Sequence, residues 1–141
     1  MDKLRAHIDE LDTAFFDPSF DPKVSMGCPF AVEHRIPEIR DRVVRFSEAY
    51  KKAGIDIDMV FADWEIDGPI EWNGAWEASK RCTRCRSQIP DIDDFATFQA
   101  ELRKVRSRLQ KEAYADVIRD RFPNALVGNY AVYPHSGERY W

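Results

Sequence analysis

The stretch Ile57-Asp58-Met59-Val60-Phe61-Ala62-Asp63-Trp64-Glu65 decides how the rest of the chain is read. Its apolar centre is short, follows a helical pattern across a tight turn, and ends on acidic residues. That is the pattern of a strand buried on both faces of a parallel sheet. Immediately upstream, Pro37 suits a first-turn position, Ile39, Val43, Phe46 and Tyr50 form an apolar stripe, and Gly54 suits the left-handed residue after a last turn, so a helix is expected over 37–53. Far downstream, Ala125-Leu126-Val127-Gly128-Asn129-Tyr130-Ala131-Val132-Tyr133 repeats the strand pattern and runs into Pro134-His135.

Between these two strands, residues 66–91 carry Gly68-Pro69, Asn73-Gly74 and Pro90 together with Trp72 and Trp76, and read as a long loop with one helical turn. Then Phe95, Phe98, Leu102, Val105, Leu109, Ala113 and Val117 recur every three or four positions, started by Asp91 to Asp94 and stopped by Pro123. This gives one overlong helix or two in series. At the N-terminus, Leu4, Ile8, Leu11 and Phe15 predict a further amphipathic helix over 2–16, followed by a turn-rich linker in which Phe-Asp-Pro occurs twice and a short strand within 23–30. Helix, strand, loop, helix, strand is the grammar of parallel βαβ units, so the expected class is α/β, in a single domain covering 1–141.

Composition narrows the function. The chain has 141 residues, 44% hydrophobic and 33% charged, with 21 Lys and Arg against 25 Asp and Glu. This is too apolar for a disordered chain and too interrupted by charge for a membrane span. A formal charge of −4 supplies no basic field, so neither nucleic acid nor membrane is an expected partner. The basic run from Arg103 to Lys111 alternates with apolar residues at helical spacing and reads as a solvated helix face. The N-terminal residues are charged and lack the apolar stretch of a secretory signal, so the chain as written reads as cytoplasmic.

The working residues of parallel sheets sit at the carboxyl ends of strands, which directs attention to Asp63 and Glu65. Two apart on a strand, they project to one face with Met59 and Phe61 beneath them. Adjacent carboxylates repel, so one holds its proton to higher pH, as a general acid requires, while the other stays ionised. The competing reading is that these carboxylates only cap the following loop.

Phe61-Ala62-Asp63-Trp64-Glu65, with tryptophans after it, resembles the catalytic strand of the hyaluronidase family of glycoside hydrolases, in which an Asp-Trp-Glu triplet ends a barrel strand. It is also similar to the chitinase motif Asp-x-x-Asp-x-Asp-x-Glu, matched by Asp58, Asp63 and Glu65 and departed from at Phe61. Gly128-Asn129-Tyr130-Ala131-Val132-Tyr133-Pro134 resembles the hyaluronidase strand with Gly-x-Tyr-Gly-Phe-Pro, Tyr130 matching the substrate-binding tyrosine. Ile36-Pro37, opening the helix that leads to the acidic strand, has a counterpart too.

The resemblance covers about residues 34 to 135 and implies substrate-assisted hydrolysis of N-acetylated oligo- or polysaccharides with no cofactor and no catalytic metal. It implies Glu65 as acid and base, Asp63 as the group orienting the substrate acetamide, and Tyr130 as a donor to the acetamide oxygen. Trp72, Trp76, Tyr133 and His135 are the expected substrate contacts, whereas Trp64 has the opposite strand parity to the acids. It further implies the (β/α)8 (TIM) barrel fold, which needs roughly 200 to 250 residues, so this chain would be an incomplete barrel, truncated or covering its open sheet edges by self-association. A non-catalytic carbohydrate-binding or structural α/β domain is the alternative.

Three cysteines, Cys28, Cys82 and Cys85, are too few for a disulfide framework. Cys82-Thr83-Arg84-Cys85 has the spacing of half a zinc site, which Cys28, His34 or His135 could complete in a small zinc-stabilised interaction domain. Without a second pair the expectation is two loop cysteines and no metal. His7, in the expected N-terminal helix, is placed on the surface.

Overall fold

A computed structural model describes residues 4–17, 21–64 and 75–131. The chain forms two compact units, one of residues 1–34 and 68–106, the other of residues 35–67 and 107–141. No helix among the described residues is long and apolar enough to cross a membrane.

In the first unit the expected N-terminal helix does not form. Asp9 Oδ1 accepts hydrogen bonds from the amides of Leu11, at 2.9 Å, and Thr13, at 2.8 Å, and Asp12 takes a left-handed φ of 62°. An aspartate that binds the backbone ahead of it offers an alternative to helical hydrogen bonding, and here the turn wins over the apolar period. The chain doubles back, pairing Ile8 with Ala14 and Ala6 with Gly27. Strands β1 (Phe16–Asp17) and β2 (Val24–Ser25) continue the antiparallel pairing. Leu11, counted as core by its spacing, is 84% exposed at the tip of the turn.

Helix α1 (Val32–Lys52) starts five residues before the expected position, with Pro37 inside it. Its end is as expected. Gly54 has a φ of 69°, its amide reaches Lys51 O and the amide of Ile55 reaches Tyr50 O, the two-bond closure that a left-handed glycine permits. The buried face of α1 includes Ile36, Val43 packs on the second unit's core, and Ser47 is buried through bonds to Val43 O and Val44 O, while Phe46 and Tyr50 stack on each other in solvent.

Within 66–91, the expected loop contains two helices, α2 (Ala75–Arg81) and α3 (Thr83–Gln88). Asp94 then caps α4 (Phe95–Gln110), which passes through a π-helical turn (Lys111–Ala115) into α5 (Asp116–Arg121). The overlong pattern is thus two helices joined end to end. The basic run along it is paired with acids of the same stretch, Lys104 with Glu101, Arg108 with Glu112 and Lys111 with Asp116.

Strands β3 (Met59–Trp64) and β4 (Leu126–Ala131) pair in parallel, as expected, with Met59 opposite Leu126 and Asp63 opposite Tyr130. The (β/α)8 barrel expectation is overturned. Among the described residues the sheets are this parallel pair and the separate β1–β2 pair, and helices dominate. Among the described residues β3 and β4 have no third strand beside them. Nor is β3 buried on both faces: Val60 packs against Ile118, Phe122 and Ala125, but Met59 and Phe61 on the other face are 55% and 56% exposed.

Candidate functional site

Two groups of residues have the makings of a site. The first is the strand pair of the second unit. In its register the acid at position 63 lies level with position 130, and the alternation of Met59 and Phe61 continues to position 63 as that of Leu126 and Gly128 continues to position 130. The positions named by the motif reading that are described therefore fall level with each other at the same end of adjacent parallel strands. Glu65, Trp72, Tyr133 and His135 lie outside the described residues, as does the linker carrying the first Phe-Asp-Pro proline.

Trp76 belongs elsewhere. It sits on α2 in the first unit, where its indole N–H donates to Ile92 O at 2.9 Å, Phe95 packs against it at 4.8 Å between ring centroids, and Lys80 lies over the ring. Its donor and much of its ring area are committed to packing that unit's core.

The second group was only half visible in the sequence. His7, Cys28, Cys82 and Cys85 converge so that one potential ligand atom from each lies within 4.8 Å of every other. All four are buried, His7 at 1% and each cysteine at 0% exposure. Local backbone explains the meeting. The His7 amide donates to Met26 O and the Cys28 amide to Arg5 O, so the paired N-terminal segments carry His7 and Cys28 side by side. Cys82 occupies the residue before α3, where its extended backbone (φ −82°, ψ 123°) ends α2, and Cys85 follows one turn later. Residues three apart at a helix start share a face.

The two halves are then fastened together. The Thr83 amide donates to Ile8 O at 3.0 Å and Arg84 Nη1 to Ala6 O at 3.0 Å, which docks the α3 start against the strand bearing His7. Phe15 stacks at 6.1 Å on the imidazole, and Ile89, Phe98 and Leu102 belong to the cluster of buried residues that includes the cysteines.

The close approach displaces the titration of three of these groups. Hydrogen bonds from Cys28 and Cys85 hold the Cys82 thiol far below the ordinary thiol value, outweighing its burial. Hydrogen bonds with Cys28 and Cys82, then burial, push Cys85 up. Burial alone would lower the His7 pKa, but its hydrogen bonds to Cys28 and Cys82 raise it. A buried group of three thiols and an imidazole whose ligand atoms converge is a donor set for a soft, divalent metal.

Two expectations are corrected here. Cys82 and Cys85 are not simply loop cysteines, and His7 is not on the surface; His34, an alternative ligand by spacing, is exposed on α1. The signal for His7 lay in the turn chemistry of Asp9 to Thr13, which turns a helix into a hairpin and brings position 7 to position 28. No protein-family model, curated protein or solved structure matches this chain.

Proposed function

We propose that the chain contributes the acid strand of a glycoside hydrolase acting on N-acetylated sugars. The observation that carries the reading is the β3–β4 register, in which Asp63 and Tyr130 are partners across adjacent parallel strands. Two short motifs separated by more than sixty residues of sequence would not be expected to meet level by level unless the pairing had a use. The solvent-facing Phe61 and Met59 support it further, because a sugar ring packs its apolar face on such a surface while its hydroxyls stay wet.

In this mechanism the acetamide oxygen of the substrate attacks the anomeric carbon as the glycosidic bond breaks, and Glu65 gives its proton to the departing oxygen. Asp63 stabilises the positive charge that spreads over the acetamide, and Tyr130 donates a hydrogen bond to its oxygen before attack. Water then opens the cyclic intermediate, losing a proton to the Glu65 carboxylate, so the acid is regenerated and one water is consumed per bond cleaved.

Glu65→Gln removes the proton donor while preserving size. Hydrolysis of N-acetylated oligosaccharides by the wild-type chain should fall by about 10²–10⁴-fold in this variant, the range for loss of a general acid. Equal turnover by the two proteins rejects the assignment. Glycan binding by the wild type with no product released selects the non-catalytic carbohydrate-binding reading instead.

A further inference from the structure

We infer that His7, Cys28, Cys82 and Cys85 hold a single zinc ion in a closed site that knits the first unit together. This goes beyond the glycosidase reading and does not depend on it.

Zinc bound tetrahedrally at about 2.3 Å from sulfur and about 2.0–2.1 Å from nitrogen sets sulfur-to-sulfur edges of about 3.8 Å and sulfur-to-nitrogen edges of about 3.6 Å. Cys28 Sγ lies 3.6 Å from Cys85 Sγ, and Cys85 Sγ lies 3.6 Å from His7 Nδ1. These are the separations of ligands around one ion. They are too long for a disulfide, whose sulfurs sit about 2.05 Å apart. An iron–sulfur cluster spreads its ligands around its own sulfides, which the mutual limit of 4.8 Å does not accommodate.

The class of site follows from the ligand count. Four protein ligands complete a tetrahedron, and all four are buried, so no position is left for water or substrate. The ligands come from three separate segments: the N-terminal strand, the residue after the hairpin, and the Cys-x-x-Cys at the start of α3. An ion there would tie these three segments together within the cluster that Ile89, Phe98 and Leu102 share with the cysteines.

The test is metal analysis of the full chain, purified under reducing conditions. One zinc per chain is expected, retained through gel filtration against a weak chelator. After removal by a strong chelator with reductant, cobalt(II) should give the visible bands of a tetrahedral thiolate site, and added zinc should bleach them. His7→Cys completes a four-thiolate set and should keep one metal per chain with a stronger thiolate-to-cobalt charge-transfer band. Cys82→Ser should lose the zinc, and His34→Ala should not. A chain that is folded by circular dichroism, carries no metal and takes up cobalt only in an octahedral form overturns the inference. So does iron that zinc cannot displace, or a disulfide among the three cysteines in the reduced, freshly purified protein.

Discussion

Cys28, Cys82 and Cys85 hold in the first unit the central place that Ile118, Phe122 and Ala125 hold in the second. The second unit is an ordinary apolar core: α5 and the residue before β4 bury Ile118, Phe122 and Ala125, and Val43, Val60 and Val127 close over them. Each large aliphatic or aromatic side chain so buried contributes about 1.5–3 kcal/mol. The first unit surrounds three thiols and an imidazole with Phe98, Leu102 and Ile89, and gains less from them, because a thiol is small and an imidazole resists leaving water. The difference teaches that one core buries apolar side chains alone, while the other also buries thiols and an imidazole that need partners.

The sharpest way to break this comparison is to remove the metal. Structural zinc contributes an apparent folding free energy of about 10–16 kcal/mol in small zinc domains, as much as the total stability of an ordinary domain. Chelation under reducing conditions should therefore abolish amide-exchange protection at His7, Cys28, Thr83 and Arg86, whose amides are bonded around the site. The amide of Leu126, bonded to Asp58 O in the second unit, should keep its protection. Equal loss at Leu126 would mean that the two cores do not stand on different terms.

A smaller effect separates them from the apolar side. Ile118 and Phe98 are both fully buried, one in each unit. Ile118→Ala should cost about 2–5 kcal/mol in urea unfolding and leave the rate of zinc loss to a chelator unchanged. Phe98→Ala should cost about 3–5 kcal/mol and speed that loss, since the ring belongs to the cluster around the cysteines. If Ile118→Ala also speeds metal loss, the second core supports the site and the contrast narrows.

How much of this was legible varied with how local the signal was. The turn after α1 could be read from Gly54 because its two closing bonds reach only three and five residues back. The start at Asp94 and the strands at Met59–Trp64 and Leu126–Ala131 were legible for the same reason, through a cap and short apolar runs. The barrel was not a local inference. It extrapolated from two strands to neighbours that do not occur among the described residues, where Phe61 is exposed. Half of the cysteine site was readable because Cys82 and Cys85 share one helix start. The other half depended on whether Asp9 bonds its own backbone, and the helical spacing of Leu4, Ile8, Leu11 and Phe15 concealed that choice.

The smallest expected effect bears on the first unit's dependence on ordinary helix ends. Asp94 is fully exposed and accepts from the Thr97 hydroxyl at 2.6 Å and the Thr97 amide at 2.8 Å, capping α4 just before Phe95 and Phe98 enter the core. The Thr97 hydroxyl, then the Thr97 amide, holds the Asp94 carboxyl below its usual value. A carboxyl whose folded pKa is depressed stabilises the fold above its unfolded value of about 3.9 and ceases to do so as pH falls through the folded value. Asp94→Ala should therefore lower the thermal midpoint by a small amount at neutral pH, and Asp94→Asn should recover the part of it that a neutral acceptor supplies. Below the carboxyl range the wild type should fall to the level of Asp94→Asn, so its gap over Asp94→Ala narrows. Acid also strips thiolate-bound metal, but it does so in both proteins, so their difference reports the cap. A gap that stays constant into acid would show that Asp94 acts through something other than its charge.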